Sequence, residues 1–148
     1  MKVKKLNNES GFTLLEIIVV IIIVGVLASL ALPRFFSTVE FSRSTEALNS
    51  VGVIRKSVIR CGMVDDDVQT CDTDASGTIE FSEMDIDDPG SEPGAHFSYG
   101  IAVTGADDYV ITATRNAVDG GDGASTVVLT VAGGVASRSG TTAFSGIK

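Results

Sequence analysis

Residues 10–33 read SGFTLLEIIVVIIIVGVLASLALP. The apolar run from Phe12 to Leu32 matches the ~20 residues that a helix needs to cross the hydrocarbon core of a bilayer. Three lysines within the first five residues would hold the N-terminus on the cytoplasmic side. An ordinary secretory signal peptide fits less well, because the run exceeds the usual ~7–15 apolar residues and no Ala-x-Ala cleavage site follows it. Hydropathy alone is equally consistent with a plain membrane anchor.

Glu16 lies inside this apolar run, where an acid costs several kcal/mol and indicates a functional role. The sequence from Ser10 to Glu16 resembles the processing site of type IV prepilins. The resemblance implies that a membrane aspartyl peptidase cuts between Gly11 and Phe12 and methylates the new N-terminal amine of Phe12. It also implies that Glu16 pairs with the positive N-terminus of a neighbouring subunit, so that two charges costly in lipid neutralise each other.

The chain after the apolar run is expected to continue the helix. Pro33 removes a backbone donor and predicts a kink, and by analogy with pilins the stretch Gly25–Pro33 would unwind in a filament. Apolar residues then recur at three- and four-residue steps with charged residues between them, which predicts an amphipathic helix to about Arg60 that packs one face on a domain core. Those apolar residues are Phe35, Phe36, Val39, Ala47, Leu48, Val51, Ile54, Val58 and Ile59.

Beyond Gly94 the hydrophobic pattern changes to period two. Strands are predicted at His96–Val103, Tyr109–Thr114 and Thr126–Val131, and Gly133-Gly134 predicts a hairpin turn into a short strand at Val135–Arg138. The prediction is an α+β fold in which a long N-terminal helix packs on a small antiparallel sheet of three or four strands, as in the pilin head. The Gly- and Ser-rich residues 137–148 are expected to form a loosely held edge or tail.

Residues Asp72 to Glu83 read DTDASGTIEFSE, which fits the twelve-residue EF-hand loop. Calcium takes six to eight oxygen ligands, alternating short acids supply them, and glycine at position six permits the sharp turn. The alternative is a solvated acidic loop without a metal. Gly62, three consecutive aspartates and Pro89-Gly90 flank the loop, so long paired helices are not expected. The predicted calcium ligands are Asp72, Asp74, Ser76, the carbonyl of Thr78, Glu80 and Glu83.

Cys61 and Cys71 are the only two cysteines. A secreted protein would pair them, and the bridge would end beside Asp72; two free thiols are the alternative. Many type IV pilins hold a C-terminal loop with a disulfide, and major pseudopilins of type II secretion often hold calcium in a C-terminal loop. Because both features precede the sheet here, they do not discriminate between the two filament systems.

The charge distribution restricts the classes of partner. Net charge is −8, and eleven acids with no Lys or Arg lie between residues 65 and 92. This acidity argues against nucleic-acid contact, which needs a basic surface. No nucleophile–base pair, phosphate loop or zinc spacing occurs, so neither an enzyme nor an organic cofactor is expected. The single histidine, His96, is expected to be a surface or packed residue rather than a ligand.

These patterns predict five segments: a leader at 1–11, a transmembrane and filament-core helix at 12–33, an amphipathic helix at 34–61, an acidic loop with a calcium site at 62–94, and a sheet with a tail at 95–148. The expected function is a structural subunit of a type IV pilus. The alternatives are a pseudopilin of a type II secretion system and a membrane-tethered calcium-binding module. Expected partners are like subunits, prepilin peptidase, the pilus assembly machinery and, before assembly, the inner membrane; the final location is an extracellular pilus or a periplasmic pseudopilus.

Overall fold

A computed structural model describes residues 11–64 and 67–147. The three N-terminal lysines, most of the predicted leader, and Asp65 and Asp66 lie outside the described residues. The chain divides into two compact units, residues 1–36 and residues 37–148. We call the second unit the head.

The helix α1 comprises Leu14–Gly62 and includes Pro33. Its first part is apolar on every side, and every residue from Gly11 to Thr38 is exposed. α1 is long and apolar enough to cross a membrane, judged by length and composition. The backbone is α-helical throughout Gly25–Pro33, so the predicted unwinding in a filament stays a prediction.

Four antiparallel strands form one sheet in the order β1-β2-β3-β4. The strands are β1 (Phe97–Val103), β2 (Tyr109–Arg115), β3 (Thr126–Ala132) and β4 (Val135–Gly140). Positive φ angles at Gly133 (56°) and Gly134 (77°) make the tight β3–β4 turn that the sequence predicts. The predicted α+β fold, with a helix on a sheet of three to four strands, is confirmed.

The core of the head lies between α1 and one face of the sheet. Ala47, Val51, Ile54 and Val58 follow one another at three- and four-residue steps and are buried. They belong to one hydrophobic cluster with the inward-facing residues of β1, β2 and β3. Three predicted core residues are instead exposed: Phe35, Phe36 and Ile59.

The C-terminal residues are held more firmly than the sequence predicts. Residues 137–140 complete β4, and a 3-10 turn at Thr142–Phe144 follows. Phe144 is 0% exposed and lies against Phe97, with 5.8 Å between the ring centroids. The predicted edge is present, because β4 is an exposed edge strand. The alternative of a loose tail is wrong as far as Phe144, because an aromatic side chain completes the core there.

Candidate functional site

The start of α1 brings two residues of the predicted processing motif together. The Thr13 amide donates to Glu16 Oε2 (3.1 Å), the Thr13 hydroxyl donates to the same oxygen (3.0 Å), and the Glu16 amide donates to Thr13 Oγ1 (3.2 Å). This is a capping box, which satisfies backbone donors at a helix N-terminus. Thr13-x-x-Glu16 is a sequence signature of that box, so Glu16 has a structural role besides the predicted assembly role.

Gly11 and Phe12 precede the helix and have no regular secondary structure. Phe12 is 82% exposed. A peptide bond that is exposed and lies outside regular secondary structure is accessible to a peptidase. The geometry is compatible with cleavage between Gly11 and Phe12, which stays a prediction.

The acidic loop from Asp72 to Glu83 places carboxylates around one point. One carboxylate oxygen from each of Asp72, Asp74 and Glu83 lies within 4.8 Å of the others. The Ser76 hydroxyl donates to the Thr78 carbonyl (3.1 Å), and its oxygen lies 3.4 Å from Asp72 Oδ1. Five of the six predicted ligands are thus close together. Glu80 is not a member of the carboxylate cluster.

Backbone amides of the same loop hold these carboxylates in place. Asp72 accepts from the amides of Ser76 (3.0 Å) and Gly77 (2.6 Å), and Gly77 has the positive φ (83°) that glycine adopts without strain. Glu83 accepts from the Thr73 amide (2.8 Å) and the Glu80 amide (2.7 Å), so it closes the loop from its far end. Hydrogen bonding lowers the pKa of Asp74, chiefly through Ser76, and the pKa of Glu83, chiefly through Thr73.

The loop is fixed on both sides by the head. Thr78 forms a β-bridge with Ala102, the Ile79 amide donates to Ile101 O (3.0 Å), and Ile79 is buried. The flanking helices are single 3-10 turns, Val68–Cys71 and Phe81–Met84, in agreement with the prediction that long paired helices are absent. A disulfide joins Cys61 at the end of α1 to Cys71 beside the loop.

A buried ion pair is the main site feature that the sequence analysis missed. Arg115 is 1% exposed, and its Nε and Nη2 donate to Glu40 at 3.0 and 3.3 Å. Its other donors bond the carbonyls of His96, Asn116 and Val118. All five N–H groups of the guanidinium therefore have acceptors. Arg115 continues the inward phase of β2, a signal that could have identified it as buried.

His96 also has a role that the sequence did not show. Its Nδ1 lies 3.1 Å from Glu46 Oε2 and its Nε2 lies 3.2 Å from Asp119 Oδ2. The imidazole thus connects α1 to the β2–β3 loop. This agrees with the expectation of a packed residue.

Comparison with known proteins adds independent support. The family model for the prokaryotic N-terminal methylation motif matches residues 6–32. These findings support the pilin family. A probable minor fimbrial protein of Dichelobacter nodosus is 38% identical over 78 residues, which are 49% of this chain and 49% of the relative. The matched stretch thus spans about half of that relative's length.

Two further relatives match shorter stretches. The type II secretion system core protein G of Vibrio cholerae serotype O1 is 33% identical over 55 residues, 37% of this chain and 38% of the relative. A type IV major fimbrial protein FimA of Dichelobacter nodosus is 30% identical over 53 residues, 36% of this chain and 34% of the relative. No solved structure matches significantly. The relatives' names are those of structural pilin and pseudopilin subunits, not of enzymes, and they support a pilin-like structural subunit.

Proposed function

We propose that the chain is a prepilin that becomes the structural subunit of a type IV pilus. Prepilin peptidase cleaves it between Gly11 and Phe12 and methylates Phe12, and the assembly machinery then polymerises it through α1. The supporting observation is the first part of α1, which lies within the matched methylation motif as far as residue 32 and whose large apolar side chains are exposed on every side. Such a surface is stable in lipid or among like helices, but not in water.

In this proposal the charge of Glu16 serves assembly. Before assembly the subunit lies in the inner membrane with its N-terminus in the cytoplasm, and in the filament Glu16 faces the positive N-terminus of a neighbour. Neutralisation offsets the cost of placing either charge in an apolar environment. Pro33 frees a carbonyl within α1 and favours local unwinding of Gly25–Pro33 as subunits pack.

The capping box permits a sharp test of this role. Glu16→Gln keeps an acceptor oxygen for the cap and removes only the charge. Thr13→Ala removes the cap hydroxyl and keeps the charge. We expect Glu16→Gln to abolish filaments while membrane insertion and cleavage continue, and Thr13→Ala to reduce filaments far less. Electron microscopy of sheared filaments and immunoblots of membrane fractions measure both. Normal filaments from Glu16→Gln would contradict the assembly role.

A pseudopilin of a type II secretion system is the second candidate, and its support is the similarity to core protein G from two organisms, 33% identical in Vibrio cholerae and 38% in Aeromonas hydrophila. The N-terminal chemistry would be the same, but the filament would stay in the periplasm. Deletion of the gene distinguishes the two. Loss of long surface fibres with normal secretion supports the pilus, whereas loss of protein secretion supports the pseudopilus. A membrane-tethered calcium-binding module, the third candidate, gives no role to the charge of Glu16.

We further propose that the loop from Asp72 to Glu83 binds calcium and stabilises the head. Hard oxygen donors are what Ca²⁺ prefers, and Asp72, Asp74, Ser76, the Thr78 carbonyl and Glu83 supply them in one place. Glu80 would act through a water, as position nine of such loops often does. Calcium would also relieve the mutual repulsion of the clustered carboxylates.

Calcium binding is tested on the head by thermal unfolding with calcium and with EDTA. Ligand at ~100 times its Kd stabilises a fold by about 2.7 kcal/mol, so calcium should raise the Tm clearly. Asp72→Ala combined with Glu83→Ala should remove the difference. Asp87→Asn is the matched control, because Asp87 is an exposed acid outside the loop, and it should keep the difference. An equal Tm of the wild type in both buffers would show that the loop is not a calcium site.

A further inference from the structure

The two edges of the sheet have opposite charge. β1 is one edge strand, and the chain from Gly77 to Ser91 lies along it: Thr78 forms a bridge with Ala102. Farther on, Gly90 approaches β1 so closely that an added Cβ would lie 3.0 Å from the Phe97 carbonyl oxygen. The acid-rich part of the chain is therefore fixed at the β1 edge.

An acid-rich segment, residues 85–92 (DIDDPGSE), follows the proposed calcium loop, and we call it the acidic turn. It has four acids and no lysine or arginine. Asp85, Asp87 and Glu92 are exposed. Asp88 Oδ1 accepts from the Gly90 amide at 2.8 Å and shapes the turn. The three exposed acids have no ion-pair partner among residues 11–64 and 67–147, so their charge is available to another molecule.

A basic groove lies at the opposite edge, between α1 and β4. Arg138 pairs with Leu129 across β3 and β4, on the face of the sheet that α1 covers elsewhere. β4 itself is almost entirely exposed, which leaves a cleft of about 230 Å³ beside the helix. Arg55, Lys56 and Arg138 supply its charge, and Leu48, Ile59 and Leu129 supply its apolar walls.

The three cations of the basic groove differ from Arg43 and Arg115. Arg43 and Arg115 form ion pairs with Glu40 at 3.2 and 3.0 Å. Within the described part of the chain, no carboxylate lies within ion-pair distance of Arg55, Lys56 or Arg138. The buried Nε of Arg55 has no acceptor there either. Docking of an anionic partner would thus break no existing ion pair. It would also give the buried Nε of Arg55 an acceptor, which buried donors normally have.

We propose that the basic groove receives the acidic turn of a second copy of this chain. The proposal rests on the proposed function, in which copies assemble side by side. Because the acidic turn and the basic groove lie at opposite edges of one sheet, a subunit cannot pair them internally. Contact between two different surfaces of identical subunits is heterologous, and repeated contacts of that kind build an open helical filament. Complementary charge would set the register between neighbouring heads.

Cross-linking of sheared filaments tests the contact directly. Lys56→Cys with Asp87→Cys places one exposed thiol on each surface, and a short bismaleimide reacts with these thiols but not with the Cys61–Cys71 disulfide. We expect a ladder of dimers, trimers and longer species on a denaturing gel. Lys56→Cys with Thr112→Cys is the matched control, since Thr112 lies in the middle of the sheet on β2, and it should give no ladder.

Charge reversal tests whether opposite charges stabilise the contact between the basic groove and the acidic turn. Lys56→Glu with Arg138→Glu should reduce filament yield about tenfold or more, because like charges would then face each other across the contact. Asp87→Lys with Glu92→Lys should have the same effect. All four changes in one chain should restore filaments. The four residues are exposed, and melting curves of each variant head report whether the fold is retained.

The outcomes separate this inference from the proposed function. Absence of wild-type filaments made of this chain would overturn the pilus itself. The head contact would be overturned, and the pilin function left intact, if the wild type forms filaments, the Lys56→Cys, Asp87→Cys variant gives no ladder, and the reversed groove gives a normal filament yield. The head contact would be established by a ladder from the double cysteine variant together with loss of filaments in each charge-reversed variant and their rescue in the fourfold variant.

Discussion

The apolar part of α1 and the head both contain many large hydrophobic side chains, but they use them differently. Ile, Val, Leu and Phe side chains from Phe12 to Phe36 are exposed. In the head, side chains of the same types form one buried cluster between α1 and the sheet. The head supplies its own core, whereas the apolar segment needs lipid or other subunits to bury its surface. Substitutions in the head should therefore change its stability, and substitutions in the apolar segment should change assembly.

The largest effect on the head is expected from Arg115→Met. This change removes one of the two partners of Glu40, since Arg43 remains paired with it. It also removes a donor from three carbonyls; those of His96 and Val118 keep a backbone amide, and that of Asn116 loses the donor it has among the described residues. Breaking a buried pair costs about 3–5 kcal/mol when the remaining charge is left without a partner. Because Glu40 keeps Arg43 and is partly exposed, we expect a loss at the lower end of this range, about 3 kcal/mol. Urea unfolding of the fragment 37–148, which contains the whole core, measures it. The close approach of Gly121, where an added Cβ would lie 2.6 Å from Arg115 Cζ, shows how tightly the guanidinium is enclosed.

Arg138→Met is the matched control for Arg115→Met. Arg138 is an exposed arginine on the same sheet and makes no ion pair among the described residues, so its loss should change the free energy of unfolding by no more than about 0.5 kcal/mol. Equal effects of the two substitutions would mean that the buried ion pair contributes no specific stability.

The disulfide is expected to have the next largest effect. The double variant Cys61→Ser, Cys71→Ser should lose about 2–3 kcal/mol of unfolding free energy, because the bridge restricts the unfolded chain. Dithiothreitol should destabilise the wild-type head by a similar amount and leave the variant unchanged. Membrane insertion and cleavage of the full chain should be unaffected, since the bridge belongs to the head. Sensitivity of the variant to the reductant would contradict this account.

Local sequence patterns predicted most of the fold. Period-two alternation and runs of β-branched residues located the first three strands, and Gly133-Gly134 located the hairpin and the fourth strand, all to within about two residues. These signals depend on near neighbours. The capping box of Thr13 and Glu16 was also visible as a local spacing, although its role was assigned only from the structure. The spacing of the acids likewise predicted that Asp72, Asp74 and Glu83 converge, but not that Glu80 lies outside their cluster.

The contacts that the sequence did not reveal join distant segments. Arg115 could be recognised as inward-facing, but its partner Glu40 lies 75 residues away and is one of many acids. His96 likewise contacts acids that are distant in sequence, Glu46 and Asp119. Choosing the correct partner requires the packing of α1 on the sheet, and Phe144 completes the core only because the chain turns back after β4. Long-range pairing of this kind has no local signature.

The smallest effect that we predict is at the rim of the head, in the loop between β2 and β3. Asp122 accepts from the Ser125 hydroxyl and from the amides of Ser125 (2.8 Å) and Ala124 (3.0 Å). The Ser125 hydroxyl is the largest cause of a lowered pKa, about 2 against an ordinary value of 3.8. A carboxylate with a lowered folded-state pKa stabilises the fold above its unfolded pKa, and that benefit disappears as the pH falls through the folded value.

Asp122→Asn should therefore cost stability near neutral pH and not near pH 2. Asp122 is exposed, and solvent screening reduces the effect to about 1 kcal/mol. The measurement is the difference in unfolding free energy between wild-type and variant heads from about pH 7 down to about pH 2. Asp107→Asn is the control, because the exposed Asp107 carboxylate accepts no hydrogen bond among the described residues. Only charge-assisted hydrogen bonds depend on ionisation of the Asp122 carboxylate. If the stability difference for Asp122→Asn stays constant down to about pH 2, the substitution acts through packing and not through the loss of those hydrogen bonds.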